Sequence, residues 1–453
     1  MQTFDVVVIG GGPAGEVAAG RLGQEGLDVA LVERELVGGE CSYWACMPSK
    51  ALLRPGEVLA EVARIPGARE AVTGSLDVTS TLKRRDQIIH DLDDSSQLPW
   101  LEENDVTLIR GEAKITGERR VEVGDEILEV RKAVIVATGT HASIPPIDGL
   151  AESEPWTNRE ITTTKRVPES IVLVGAGVVG VEMAQAYATL GARVTLIEPE
   201  ERILMREEPF AAEQVTDALR ERGVDVRLET GVEHVKREAG AVAVTLAGGD
   251  TVVAEQIVVT AGRRPNTGAI EPLGYEAGKP IEVDEHLVSK RFDWLYAIGD
   301  VNGEVLLTHM GKYQAAIAAE HIAGRTYDVQ HGANGPQSPR VIFTDPQVAA
   351  VGHTEQTARE AGLNIRIVEV ETSGNAGGSY YGRGAPGTAR MIVDTDRSVI
   401  AGATVTGAEV ADFIHPFTIA IVAEVPMERL WHAVPCFPTR SEIWLRLLES
   451  YRR

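Results

Sequence analysis

The sequence predicts an α/β protein of several domains, organised around two copies of one strand–turn–helix–strand unit, and three observations carry this expectation. First, residues 4–33 (FDVVVIGGGPAGEVAAGRLGQEGLDVALVE) recur in outline as residues 169–198 (ESIVLVGAGVVGVEMAQAYATLGARVTLIE). Second, both copies open on a continuous β-branched run, residues 6–9 and 171–174, as expected of parallel strands buried on both faces. Third, 453 residues suffice for about three domains of roughly 150 residues each, so the copies can belong to separate units.

Each apolar run ends in a glycine-rich turn. Gly10, Gly12 and Gly15 of the first copy match Gly175, Gly177 and Gly180 of the second. An alanine-rich helical stretch follows, to Gly26 or Gly191. A second strand then closes on Glu33 or Glu198, each 23 residues after the first glycine of its copy. The first glycine makes the tight turn, the second lets backbone N–H groups approach a pyrophosphate, and the third lets helix and strand pack closely. The helix N-terminus turns its positive dipole end to the phosphates, and the carboxylate can accept from both hydroxyls of an adenosine ribose. Two Rossmann-like dinucleotide sites are therefore expected. Each copy later returns to a strand ending in a glycine turn, at Thr138-Gly139 in the first and at Gly262, followed by Arg263-Arg-Pro-Asn266, in the second. Residues 295–300, LYAIGD, place Asp300 after a short apolar strand, where a second polar contact to the first dinucleotide can form.

Composition narrows the class. Hydrophobic residues make up 43% and charged residues 25%, the balance of a soluble globular chain. With 44 Lys and Arg against 67 Asp and Glu, the net charge of -23 argues against a nucleic-acid or anionic-membrane footprint. The N-terminus enters an apolar run without a basic region or a small-residue cleavage pattern, and no apolar stretch approaches about 18 residues. A cytoplasmic, non-membrane protein is expected, and no metal site. Three cysteines, Cys41, Cys46 and Cys436, are too few for a secreted disulfide scaffold.

Cys41 follows Glu33 by eight residues, within Gly38-Gly-Glu-Cys41-Ser-Tyr-Trp-Ala-Cys46-Met-Pro-Ser-Lys50. The CxxxxC spacing alone fits two free cysteines as well as a redox pair. The loop, however, leaves the second strand of a dinucleotide unit and passes near the cofactor, so a dithiol there can exchange electrons with it. If Cys46 lies nearer, its thiolate faces an isoalloxazine ring and Cys41 is left to exchange with substrate.

With these residues the chain resembles the pyridine nucleotide-disulfide oxidoreductases, the family of lipoamide dehydrogenase, glutathione and mycothione reductases and mercuric reductase. The resemblance spans nearly the whole chain, through GGGPAG at Gly10, GGECSYWACMPSK at Gly38, ATG at Ala137, GAGVVGVEMA at Gly175, GRRPN at Gly262, YAIGD at Tyr296 and VIFTDPQVAAVGHTE at Val341. It implies FAD in the first copy, held by Gly10, Gly12, Gly15, Glu33, Gly39, Lys50, Thr138, Gly139 and Asp300. It implies NADH or NADPH in the second, held by Gly175, Gly177, Gly180, Glu198 and Gly262. The implied architecture is an FAD-binding domain of residues 1–148 and 267–335, an NAD(P)-binding domain of 149–266, and a C-terminal α+β interface domain of 336–453 that makes a homodimer. Lys50 and Glu182 are the implied ion pair beside the flavin. Glu198 favours NAD, because a carboxylate repels the 2′-phosphate of NADP; Arg193 and Arg202 nearby are the groups an NADP phosphate would need.

The chain also departs from the family. Its members usually end in a segment close to H-P-T-x-S-E, whose histidine, from the partner subunit, serves the interchange thiol as acid and base. This chain reads Cys436-Phe437-Pro438-Thr439-Arg440-Ser441-Glu442. Phenylalanine carries no proton, and losing a positioned acid/base costs about 10²–10⁴-fold. Glu442 matches the family glutamate as a catalytic candidate or a plain capping acid. Tyr43 and Trp44 stand between the cysteines where the family has small or aliphatic residues. His432, Tyr380 and Tyr381, the tyrosines in a glycine-rich stretch from Gly374 to Gly387, are candidate replacement donors, and Cys436 is a candidate relay thiol or soft-metal ligand. The leading expectation is an NAD(P)H:disulfide oxidoreductase using Cys41, Cys46, Lys50, Glu182 and Glu442. The alternatives are a flavin reductase of a quinone or metal ion, and a non-catalytic redox-sensing or partner-binding flavoprotein.

Overall fold

The computed structural model describes residues 1–453 except 327, 328, 330–334, 336, 383, 384 and 386. The expected boundary at Pro336 and part of the stretch from Gly374 to Gly387 lie outside the described residues. The chain packs as two units, one of residues 1–48, 86–143 and 263–336 and one of residues 49–85, 144–262 and 337–453.

The first unit is built on a seven-stranded sheet. Strands Val106–Arg110, Val29–Glu33, Gln2–Ile9 and Glu126–Val136 lie side by side and parallel. The long strand Glu126–Val136 serves two partners. Its second half pairs in parallel with Leu295–Ala297, and its first half continues antiparallel into Arg120–Val123, which pairs with Ala113–Gly117. Register aligns Ile9 with Val32 and Val136, and Val136 with Ala297. Gly10, Glu33, Ala137 and Ile298 therefore leave the sheet at one level, at the carboxyl ends where open α/β sheets hold ligands. Helix Pro13–Gln24 starts with Pro at its first position, where the missing N–H costs nothing, and ends at Gly26 with φ +79°. It packs against helix Thr308–Ile322, and one apolar core runs beneath both.

The second unit repeats the design. Asp225–Arg227, Arg193–Ile197, Ser170–Val174 and Gln256–Val259 form a four-stranded parallel sheet. Its central strand is buried at every position and alternates faces. Ile171 and Leu173 pack into a core with helices Val178–Thr189 and Pro209–Glu221, whereas Val172 and Val174 face the antiparallel meander Val232–Glu238, Ala241–Leu246 and Thr251–Ala254. The C-terminal part forms a five-stranded antiparallel sheet, Arg340–Ile342, Gln347–Gly352, Val399–Gly407, Thr388–Asp394 and Ile365–Glu371. Helices His415–Val422 and Glu442–Arg452 cover it. The expected α/β class, two Rossmann-type folds and a C-terminal α+β domain, is the observed one. Among the described residues no helix is long and apolar enough to cross a membrane.

Candidate active site

The two glycine turns superimpose in their chemistry. Gly10 and Gly175 have φ +104° and +105°, a left-handed backbone that favours glycine, and a Cβ on either would press into the backbone of Ala137 or Thr260. A Cβ on Gly15 would lie 1.8 Å from the Gly10 carbonyl oxygen, and one on Gly180 would lie 2.1 Å from that of Gly175. Helix and turn touch backbone to backbone there. Gly12 and Gly177 differ: a Cβ would meet nothing closer than 4.0 Å at the former and nothing within 4 Å at the latter. These open positions cap helices Pro13–Gln24 and Val178–Thr189, and neither helix has a side-chain cap. Uncapped N–H groups facing open space form a phosphate cradle. The acids complete each copy. Glu33 accepts from Gly11 N at 2.6 Å and Glu35 N at 2.6 Å, and Glu198 accepts from Ala176 N at 2.6 Å and Glu200 N at 3.3 Å. The residues present fit a dinucleotide at each turn.

Asp300 follows strand Leu295–Ala297 and accepts from Thr140 Oγ1 at 2.8 Å. Burial raises its pKa, against the Thr140 hydrogen bond and the Arg263 charge, with Glu40 adding to the rise. Arg263 in turn donates to Thr140 Oγ1 at 2.6 Å and to Thr140 O at 2.7 Å and lies 3.5 Å from Glu40. Thr138 Oγ1 donates to Asn266 O at 2.5 Å, which ties the turn at Gly139 to the chain beyond Gly262. Sequence reasoning missed Thr140 and Arg263, although both stand beside motifs it quoted.

The cysteine loop hangs on the first turn. Gly38 N donates to Gly11 O at 2.7 Å, and Gly39, φ +57°, approaches so closely that a Cβ would lie 2.8 Å from Gly12 Cα. That contact plants the short helix Gly39–Tyr43, with Cys41, beside the cradle. Cys46 starts helix Cys46–Arg64, and Lys50 lies one turn further along it. Cys41 and Cys46 are both thiols and hydrogen bond to one another. Cys46 Sγ lies 3.3 Å from Thr308 Oγ1, at the first residue of helix Thr308–Ile322. Cys41's thiol is pushed up by the Cys46 hydrogen bond, then by burial and by Cys46's charge, against Thr308 and Lys312. Cys46 opens helix Cys46–Arg64, and a helix N-terminus favours a thiolate at that position. Thr308 and Lys312 lie more than 250 residues along the chain, beyond any local signal.

Tyr43 is buried and meets Trp44 edge to face, with ring centroids 5.7 Å apart. Among the described residues its hydroxyl has no hydrogen-bond partner, and its pKa is pushed up to about 12 by burial and by the charges of Asp94, Glu16 and Asp93, opposed by Arg110.

In the second unit Lys50 Nζ donates to Glu182 Oε2 at 2.8 Å, and Glu182 Oε1 accepts from Phe343 N at 2.9 Å. The Glu182 side chain is 3% exposed, a buried charge with both oxygens paired. Lys50 also sits 4.8 Å from the centre of the Phe343 ring. Gly262, φ +110°, has open space on its Cβ side. Glu442 Oε2 accepts from Gly377 N at 3.1 Å, a contact to the backbone at the start of a short turn of helix. Phe437 is 75% exposed, and Cys436, His432 and Tyr380 are exposed as well. Tyr381 hydrogen bonds with Glu409 and stacks under Arg440 at 4.8 Å. Among the described residues no three His, Cys, Asp or Glu side chains group as a metal site.

Residues 4–323 match the pyridine nucleotide-disulphide oxidoreductase family, and residues 338–447 match the dimerisation domain of the same enzymes. The chain is 31% identical over 451 residues to the dihydrolipoyl dehydrogenase of Zymomonas mobilis subsp. mobilis, covering 97% of this chain and 96% of that one. It is 29% identical to the mercuric reductase of Staphylococcus aureus, covering 97% of this chain and 81% of the relative. Among solved structures it shares its fold with the Cu(II) complex of the HOCl-induced flavoprotein disulfide reductase RclA from Escherichia coli. That likeness has a TM-score of 0.86 at 24% identity, over 99% of each chain. The chain thus belongs to the pyridine nucleotide-disulphide oxidoreductase family, whose members are FAD- and NAD(P)H-linked oxidoreductases.

Proposed function

We propose that the chain is an FAD-dependent NADH:disulfide oxidoreductase, working as a homodimer, in which Cys46 carries the charge of the reduced pair and Cys41 exchanges with the substrate. The observation that carries this reading is the thiol pair itself: two hydrogen-bonded cysteines beside the first cradle, with Cys46 at the Thr308 helix N-terminus. FAD, when bound, supplies two-electron transfer between a nicotinamide and a dithiol. Gly12 and the uncapped helix behind it hold its pyrophosphate, Glu33 its ribose, and Asp300 its ribityl chain. Gly177 and Glu198 hold the nicotinamide nucleotide, in a domain of about residues 149–266. Lys50 is fixed by Glu182 within the second unit.

NAD is favoured over NADP by the occupation of Arg202, which donates to Leu204 O at 3.2 Å, Glu207 O at 3.0 Å and Met205 O at 3.0 Å. Its guanidinium is committed to holding a loop rather than a 2′-phosphate. A second reading is favoured by Phe437, which removes the usual acid/base, and by the exposed thiol of Cys436. In that reading the acceptor is a quinone or a soft metal ion, as the name of the mercuric reductase relative suggests.

The test is anaerobic NADH titration followed by an acceptor panel of lipoamide, low-molecular-weight disulfides, quinones and soft metal ions. The expected result is a long-wavelength absorbance band that Cys46→Ser abolishes, and turnover of a disulfide that Cys41→Ser abolishes. A band that survives Cys46→Ser overturns the assignment of charge. Full quinone or metal turnover in Cys41→Ser, with no disulfide turned over by the wild type, selects the second reading.

A further inference from the structure

Affinity for a ligand depends on how much of its site is ordered before it arrives, and one loop of the second unit is ordered by contacts that a dinucleotide fold does not require. The loop, residues 198–208, begins and returns on one residue of the glycine turn. Glu198 Oε2 accepts from Ala176 N at 2.6 Å, and Leu204 N donates to Ala176 O at 3.1 Å. Ala176 lies between Gly175 and Gly177, so the loop closes a ring against the second cradle.

Leu204 makes this return at φ +51°, a left-handed backbone that disfavours leucine, with its side chain buried. A strained residue persists only where its surroundings over-determine it. Its carbonyl is held as well, for Leu204 O accepts from Arg202 Nη1 at 3.2 Å and from Glu207 N at 2.8 Å. The last two residues of the loop are anchored outside the Rossmann-type fold. Glu207 Oε1 accepts from Arg340 Nε at 2.6 Å, and Glu208 Oε2 accepts from Arg390 Nη1 at 2.8 Å. These arginines stand on strands Arg340–Ile342 and Thr388–Asp394 of the C-terminal sheet. Glu208 Oε1 accepts from Glu355 N at 2.7 Å. The Glu207 and Glu208 side chains are 5% and 1% exposed, and Glu207 Oε2 has no hydrogen-bond partner among the described residues. A buried ion pair adds little to folding beyond what apolar side chains of the same volume would, and an orphaned oxygen reduces that further. Stability does not account for two such pairs at the end of one strained loop, whereas placement of the loop does.

We propose that Glu207 and Glu208 are positioning residues of the nicotinamide-nucleotide site. Through Arg340 and Arg390 they hold loop 198–208 preformed against the Gly175–Gly177 turn, where it walls the adenosine end of the ligand. The inference rests on the nucleotide reading of the second cradle given under Proposed function. Without its anchors the loop leaves the strained conformation in the free protein and the ligand must restore it. Affinity then falls, while chemistry at the nicotinamide end does not change.

The test is titration calorimetry of the FAD-loaded protein with NADH and with ADP-ribose, which carries the adenosine and the pyrophosphate but no nicotinamide. Glu208→Gln, which keeps an acceptor for Glu355 N, and the double variant Glu207→Gln/Glu208→Gln should both bind the two ligands more weakly, the double variant by about tenfold. In stopped flow, the NADH concentration that half-saturates flavin reduction should rise by the same factor, with the rate at saturation unchanged. A lower urea midpoint with both affinities unchanged assigns the ion pairs to folding alone and overturns the proposal, while leaving the nucleotide reading in place. Weaker NADH binding with ADP-ribose binding unchanged overturns the placement of the loop at the adenosine end. A wild type that binds neither ligand overturns the nucleotide reading and the proposal with it.

Discussion

Alanine at Gly177 and alanine at Gly180 should do opposite things, although they stand three residues apart on one turn. At Gly180 the added Cβ would lie 2.1 Å from the Gly175 carbonyl oxygen, and the atom it meets is backbone, so the helix must move by about an ångström. Overpacking of that kind costs about 1–3 kcal/mol. At Gly177 the backbone has φ −73°, which alanine adopts freely, and the Cβ meets nothing within 4 Å. Folding should change by about 0.5 kcal/mol or less there, as for an ordinary surface substitution. The open space is where a pyrophosphate would approach the uncapped N–H groups. A methyl group that displaces one or two charge-assisted hydrogen bonds, at about 1.5–3 kcal/mol each, weakens nucleotide binding by roughly 10–100-fold or more. Urea unfolding and NADH titration calorimetry separate the two effects. A Gly177→Ala variant that binds NADH as wild type does would refute the cradle, and a Gly180→Ala variant as stable as wild type would refute the backbone contact.

Other expectations follow from the same geometry. Glu182→Gln keeps an acceptor for Phe343 N but removes the partner of Lys50, whose side chain is 35% exposed; after allowing for solvent screening, urea unfolding should show a loss of about 1–3 kcal/mol. An unchanged midpoint would mean that water replaces the pair. Glu198→Gln should improve NADPH use about fivefold relative to NADH, the ~1 kcal/mol that one charge contributes near 4 Å in water, whereas Arg202→Ala should leave the NADH to NADPH ratio unchanged because its guanidinium already holds three carbonyls. Steady-state kinetics with both nucleotides decide it. Glu16 is raised from 4.5 to about 7 on folding, so the folded state holds the proton more tightly than the unfolded one. Its stability contribution is complete below the lower value and is lost as pH rises to the upper one; thermal midpoints of wild type should therefore decline over that window relative to Glu16→Gln. Parallel pH curves would count against a buried carboxyl at this site.

Much of the fold was legible because its signals are short-range. The glycines of each turn, the acid 23 residues on and the buried strands between them are tied by local geometry, and both copies adopt the same turn down to φ +104° and +105°. The cysteine loop was legible for the same reason, since eight residues cannot carry Cys41 far from Glu33. Glu442 was harder to read. Its motif position suggested chemistry, while the structure gives its carboxylate a backbone N–H at Gly377, a residue whose relation to it no spacing reveals.

By itself the sequence determined the α/β class, the two glycine turns with their acids, the spacing of Cys41 and Cys46, and the phenylalanine at position 437. All of these depend on residue identity at close spacing. Only the tertiary structure decided which groups act on them. Thr308 and Lys312 reach the cysteines through the packing of one helix on another, Arg202 is occupied by a loop it holds, and Glu16 acquires its proton affinity from burial. Desolvation and through-space charge depend on what surrounds a side chain in the folded molecule, and that neighbourhood is assembled from residues hundreds of positions apart.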